Sequence, residues 1–178
     1  MQTYTHGLIG LAAGTALFPT NPLLQGACAV GSMLPDLFIV PFWIDDVSHG
    51  KKPSEHQDRF ERTVNEISHS LPLFLVFLAC TVALGKYGVL PESVWYPLAV
   101  LEGGMLGHLF VDMFTHGNFE GKYDKVEKSM MWPFTRPHLS ATFSFWDYRY
   151  DHGSIRPKPV EIAIMTGLTL FIAFMKSV

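Results

Sequence analysis

Apolar residues occur in long blocks along this chain, and polar residues are concentrated in the stretches between them. Small residues are frequent in the first block, where they would let helices approach closely. Strand-like alternation of apolar and polar residues is scarce, so the pattern predicts an all-α fold. The blocks predict hydrophobic helices over residues 4–18, 23–34, 71–85, 94–116 and 159–175. We expect a single domain over residues 1–178, built as a bundle of about five hydrophobic helices.

The polar stretches predict three further features. Pro35 is expected to close the second helix, and the Asp- and Lys-containing residues 37–56 are expected to form a loop. Residues 57–70 have the three/four spacing of an amphipathic helix. At Pro72, either a new helix starts or a continuous helix kinks. Residues 117–158 are rich in aromatic residues, Pro, Lys and Arg, and predict a long irregular insert before the last helix.

Composition favours a membrane protein. Charged residues make up 16% of the chain, against about 25% in soluble domains, and the mean hydropathy is +0.20. Segments 71–90 and 159–176 are the best spanning candidates, while a soluble core of unusually hydrophobic helices is the alternative. A net charge of −3 without a basic block argues against a nucleic-acid partner. Lys and Arg are spread over several loops, so orientation is not readable. Cys28 and Cys80 are expected to be buried free thiols.

The most informative local pattern is a stripe of ionisable residues inside an apolar run. His108, Asp112 and His116 follow one another at four-residue steps, which places them on one face of a helix. Imidazole and carboxylate are good ligands for zinc, and burying them without a partner is costly. The stripe therefore indicates a metal site. A hydrogen-bonded His–Asp pair is the alternative for the first two residues, and His116 alternatively caps the helix or supports a ligand.

Other candidates are ambiguous when each is taken alone. Asp36 follows a Gly-Ser-Met-Leu-Pro turn sequence, where helix capping is as reasonable as metal binding. His69 stands before an apolar segment, and His6 stands near the start of the first helix. The remaining histidines lie in polar or aromatic loops and are expected to be solvated: His49, His56, His138 and His152.

Taken in order, these pieces resemble a known family. His6, G-S-M-L-P-D at 31–36, H-S at 69–70 and G-H-L-F-V-D-M-F-T-H at 107–116 resemble the bacterial membrane-bound metal-dependent hydrolase family. That family is regarded as distantly related to zinc-dependent phospholipase C and the single-strand zinc nucleases. The resemblance covers roughly residues 1–120. It implies an all-helical, multi-pass protein of the bacterial inner membrane.

The resemblance also implies a ligand set. A first Zn²⁺ would be held by Asp36, His69, His108 and Asp112, and Asp112 would bridge to a second Zn²⁺ that also takes His6. His116 could match a later histidine of the phospholipase group. In that group a later H-x-x-x-E pair holds a third zinc, and neither histidine after His116 begins such a pair. We therefore expect one or two ions, with another divalent transition metal as the alternative.

Such a site would activate a water molecule to attack a phosphodiester or ester bond, with membrane lipids and small-molecule esters as candidate substrates. Asp36 or Glu66 could act as general base if not a ligand. Arg136 and Arg149 could hold a phosphate through a guanidinium fork, although solvated or packing roles are also open for both. The aromatic insert would line a lipid-facing entrance or pack over the bundle. The competing interpretation is a non-catalytic membrane protein with a structural metal or a buried His–Asp network. A third interpretation, which the pattern supports less, is a transporter with buried charges along its pathway. The oligomeric state is not readable.

Overall fold

A computed structural model describes residues 3–50, 63–64, 67–115 and 159–177. Within these ranges every regular element is helical, which confirms the predicted all-α class. The helices are α1 (Thr3–Leu17), α2 (Pro22–Leu37), α3 (Val40–Ser48), α4 (Leu71–Lys86), α5 (Glu92–Thr115) and α6 (Pro159–Ser177). The amphipathic helix predicted over 57–70 and the insert over 117–158 lie largely or wholly outside the described residues.

Two boundary predictions were wrong. Helix α2 does not end before Pro35 but continues to Leu37, because a proline this close to the end removes one intrahelical hydrogen bond at most. The loop predicted over residues 37–56 contains helix α3. A proline in the first turn of α3 is compatible with helix formation, since the first amides have no intrahelical partner in any case.

Local capping explains where two helices begin. The Asn21 side chain accepts a hydrogen bond from the amide of Leu24 at 3.2 Å and starts α2. The Ser70 hydroxyl accepts one from the amide of Leu73 at 3.3 Å, and Pro72 lies in the first turn that follows. Residue 72 is therefore close to the start of a new helix rather than a kink in a continuous one.

Helix α2 lies in the middle of the bundle. It packs against α1 on one side and α5 on the other, α4 packs against α5, and α6 packs against α1. Glycines allow the closest approach, as is typical of helices that associate in membranes. Where α2 crosses α5, a Cβ atom on Gly104 would lie 2.6 Å from the carbonyl oxygen of Cys28 and 3.1 Å from the Cα of Gly31. The two backbones are therefore in direct contact beside the candidate site.

The outer surface of the bundle is strongly apolar. Large hydrophobic side chains are exposed on several helices, among them Leu23, Val30, Leu75, Val76, Phe77, Ile162, Leu170 and Phe174. Soluble proteins rarely expose large contiguous apolar patches. Exposed hydrophobic side chains on several helices are instead typical of a surface that contacts the hydrocarbon chains of a lipid bilayer. Cys80, also on α4, is exposed rather than buried as expected; Cys28 is buried.

One described helix is long and apolar enough to cross a membrane by itself. It is the Glu92–Asp112 portion of α5, with 21 residues and a mean hydropathy of 1.3. Helices α2 and α3 together pass the same test as a pair bent by 46°. The segment 71–90, which we expected to be a spanning candidate, contains a shorter apolar helix, Leu71–Lys86.

Candidate metal centre

Five of the six predicted metal ligands come together in the structure, although they are distant in sequence. They form two overlapping groups, His6 with His108 and Asp112, and Asp36 with His69 and His108. Within each group the candidate ligand atoms lie within 4.8 Å of one another. Because His108 belongs to both groups, it is the centre of the cluster.

The first group is built on one face of α5. His108 and Asp112 stand one turn apart and are almost fully buried, at 1% and 2% exposure. One oxygen of Asp112, Oδ2, lies 3.1 Å from His108 Nε2, and the other, Oδ1, lies 3.0 Å from His6 Nε2. The His6 ring also stacks on the His108 ring with centroids 3.9 Å apart. Asp112 therefore contacts two imidazoles, one through each carboxylate oxygen.

The second group involves the end of α2 and the residue pair before α4. Asp36 Oδ1 lies 3.6 Å from His69 Nε2 and 3.7 Å from His108 Nε2. The other oxygen of Asp36, Oδ2, accepts a hydrogen bond from the Thr3 hydroxyl at 2.9 Å. The carboxylate is thus held from one side while its free oxygen faces two imidazole nitrogens.

The main chain of α2 fixes the orientation of the His108 ring. His108 Nδ1 lies 2.7 Å from the carbonyl oxygen of Ser32. Because a carbonyl can only accept, Nδ1 must carry the proton and donate it, and the neutral ring then has its lone pair on Nε2. Among the described residues, this buried Nε2 atom has no hydrogen-bond partner. A lone pair that faces carboxylate oxygens is unfavourable unless a metal ion or a proton lies between them.

The separations between Asp36 and the two imidazoles fit a shared metal ion better than direct hydrogen bonds. Tetrahedral zinc with bonds of about 2.0–2.1 Å places its ligand atoms about 3.3 Å apart. The His108 to Asp112 and Asp36 separations of 3.1 and 3.7 Å bracket that value. Hydrogen bonds between nitrogen and oxygen usually span about 2.7–3.2 Å, so the Asp36 separations are too long for direct ones. The donor set and its spacing therefore suit a divalent metal.

The same geometry limits how many ions His108 can serve. Its Nδ1 is occupied by Ser32, and its single Nε2 lone pair can bind one ion. An ion held by either group would have three described protein ligands. Three ligands leave a fourth tetrahedral position for water or substrate, as in catalytic zinc sites. A second ion would have to use the remaining His–carboxylate pair.

The predicted residues outside this cluster fall on undescribed parts of the chain. His116, Glu66, Arg136 and Arg149 lie outside the described residues, and their proposed roles stay predictions. The structure adds groups that sequence reasoning missed: the Thr3 hydroxyl, the Ser32 carbonyl and the Ser68 hydroxyl, which lies 3.0 Å from His69 Nδ1. A main-chain carbonyl can belong to any residue type, so the sequence carries no signal for the Ser32 contact.

All five candidate ligands lie at one end of the bundle, which we call the site end. His6 is near the start of α1, Asp36 is near the end of α2, and His69 directly precedes α4. His108 and Asp112 occupy the last part of α5. The helices therefore alternate in direction, so that α1 and α4 begin at the site end whereas α2 and α5 finish there.

Comparison with known proteins identifies the family. No curated protein and no solved structure matches this chain. A family model described as YdjM inner membrane protein matches residues 1–177. That description agrees with the expected inner-membrane location and names no activity, metal or substrate. The chain belongs to the YdjM inner membrane protein family.

Proposed function

We propose that this chain is a multi-pass, metal-dependent hydrolase of the inner membrane that cleaves a phosphodiester or ester bond. Zinc is the expected ion, one or two per chain, and lipids are among the candidate substrates. The observation that carries the proposal is the buried His108 Nε2, which faces Asp36 and Asp112 while Nδ1 donates to Ser32. A cation is the simplest way to compensate this arrangement.

The residues of the cluster have distinct roles in this proposal. Ser32 orients the His108 ring, and Thr3 holds one oxygen of Asp36 so that the other points into the site. Such supporting contacts typically raise metal affinity 10–100-fold. When bound, zinc would supply a water molecule of lowered pKa and stabilise negative charge on the substrate. His108 and Asp112 are sealed within the bundle, whereas the Asp36 side chain is 18% exposed and marks the accessible side of the site.

The apolar exterior supports a spanning arrangement of several helices. Leu75, Val76 and Phe77 on α4 are each about half exposed, and Leu170 and Phe174 on α6 are more exposed still. Contact with lipid would remove these side chains from water. Burying an ionisable cluster inside such a bundle costs free energy, and intramembrane groups of this kind usually serve a function.

A second candidate function is a non-catalytic membrane protein in which the cluster only holds helices together. One observation favours it: the His6 to Asp112 separation of 3.0 Å is that of an ordinary hydrogen bond. In that case a proton shared between buried groups, or a metal without a reactive position, would serve a structural purpose.

Metal content and hydrolysis together test the proposal. The protein is purified in detergent, and bound metal is measured by mass spectrometry for the wild type, His108→Ala and Asp36→Asn. His49→Ala is the matched control, because His49 is an exposed histidine paired with Asp45 on α3. We expect metal in the wild type and the control, and its loss in the two cluster variants.

Hydrolysis is then measured on bis-p-nitrophenyl phosphate and p-nitrophenyl butyrate with added Zn²⁺. Activity that requires His108 and Asp36 but not His49 supports the hydrolase. Metal that is bound without turnover of either substrate would favour the structural candidate. Absence of metal from the wild type, even after Zn²⁺ is supplied, would refute both metal-based versions.

A further inference from the structure

We propose that the site end of the bundle faces the cytoplasm, so that a substrate reaches the metal centre from the cytoplasmic side of the inner membrane. The inference deepens the proposed function and rests on its spanning arrangement, but it does not depend on metal binding or turnover. It follows from combining the helix directions with the distribution of Lys and Arg along the chain.

The structure shows which connections share an end of the bundle. The connection from α2 to α4 leaves after Asp36 and returns at His69, which lies beside Asp36. The connection from α5 to α6 leaves after the turn that holds Asp112 and returns at the start of α6. Glu161 in that first turn is buried and near Tyr4, the second residue of α1. Both long connections therefore start and finish at the site end.

The short connections belong to the opposite end. Residues 18–21 join α1 to α2, and residues 87–91 join α4 to α5. Helix α6 also finishes there, since it begins at the site end. The sequence shows no run of 18 apolar residues in 116–158 that could carry this connection across the membrane and reverse the assignment.

Basic residues are almost entirely on one side of this division. Of the 13 Lys and Arg residues, four lie in residues 51–62 and seven in residues 122–158, all in the site-end connections. The other two, Lys86 and Lys176, are in the last turns of α4 and α6, at the opposite end. Cytoplasmic loops of inner-membrane proteins carry an excess of Lys and Arg, and this bias sets orientation. All but Arg136 lie within about 15 residues of a helix end, where the bias is effective.

The depth of the cluster is consistent with access from this side. The candidate span Glu92–Asp112 has 21 residues and so rises about 31 Å, close to the thickness of the hydrocarbon core. With Glu92 at one boundary, Asp112 lies at the other, and His108 lies about 6 Å deeper. The cluster is thus near the membrane surface at the site end and far from the opposite surface.

Cysteine labelling tests the orientation. The exposed Cys80 is replaced by Ala, the buried Cys28 is retained, and single cysteines are introduced as His49→Cys or Tyr87→Cys. The His49 side chain is 63% exposed at the end of α3, within the connection that leaves the site end, and Tyr87 is 86% exposed at the opposite end. A membrane-impermeant maleimide is applied to spheroplasts and to inverted vesicles. The Cys80→Ala parent is the unlabelled control, and detergent-permeabilised samples show the full labelling of each variant.

We expect Tyr87→Cys to be labelled in spheroplasts and His49→Cys to be labelled in inverted vesicles, each at least tenfold above the other preparation. The reverse pattern would overturn the orientation while leaving the metal-dependent hydrolase intact. Labelling of both positions from the same side would overturn the orientation and the spanning bundle together. Because labelling needs neither metal nor turnover, an inactive or metal-free protein with the expected pattern would refute the proposed function alone.

Discussion

The contact between α2 and α5 at Gly104 provides a test of how the fold supports the proposed metal centre. We predict that Gly104→Ala weakens metal binding although Gly104 is not itself a candidate ligand. A Cβ at this position would lie 2.6 Å from the carbonyl oxygen of Cys28, which is main chain and cannot rotate away. The two helices must therefore separate locally.

The required movement can be estimated. Ordinary contacts of a Cβ begin at about 3.4 Å, so relief of the overlap needs about 0.8 Å of separation. His108 is one turn from Gly104 on α5, and its Nδ1 donates to Ser32 on α2 at 2.7 Å. If the shift is transmitted fully, this distance becomes about 3.5 Å and the hydrogen bond is lost. Loss of such a contact to a metal-binding histidine typically lowers affinity 10–100-fold, and overpacking costs about 1–3 kcal/mol of stability.

Gly103→Ala is the matched control. It introduces the same methyl group on the same helix, where nothing lies within 4 Å of the new Cβ, and it gains the helix propensity of alanine. Zinc affinity is measured in detergent by competition with a chromophoric chelator, and stability by thermal unfolding. Equal zinc affinities of Gly104→Ala and Gly103→Ala would refute the argument that the helix crossing positions His108.

Three further outcomes are expected. Thr3→Val removes the hydrogen bond to Asp36 and should lower zinc affinity about 10–100-fold in the same competition assay, with rescue by Thr3→Ser; equal loss in both variants would point to packing instead. Asn21→Ala removes the cap of α2 at the opposite end and should cost about 1 kcal/mol in denaturant unfolding without changing zinc affinity; a parallel loss of affinity would contradict this separation. Zinc at 100 times its dissociation constant should stabilise the wild type by about 2.7 kcal/mol, an increment that chelation or His108→Ala abolishes. Stabilisation of that variant by zinc would argue for binding elsewhere.

Much of the fold could be predicted because apolar blocks of helical length leave few alternatives. All five hydrophobic helices are present in the structure, with ends that differ by a few residues. The errors at Pro35 and α3 have one origin. Proline, and clusters of Asp and Lys, locally favour the prediction of a loop. A proline near either end of a helix nevertheless costs the helix little stability.

The sequence by itself determined which residue types could form a site. His108 and Asp112 share a face because the α-helical repeat of 3.6 residues brings positions four apart together, and this holds in any tertiary arrangement. Local spacing could not show that His6, Asp36 and His69 belong to the same site. Each of them alone fits a cap, a hydrogen bond or a solvated position equally well.

Only the tertiary structure decided which of these residues meet. Contact between the backbones of α2 and α5 at Gly31 and Gly104 brings the Ser32 carbonyl within 2.7 Å of His108, and this contact selects the ring nitrogen that faces the carboxylates. Helix direction then decided that the long charged connections share the end that carries the candidate ligands. Neither property is a function of local spacing, because both depend on how segments far apart in the chain pack against one another.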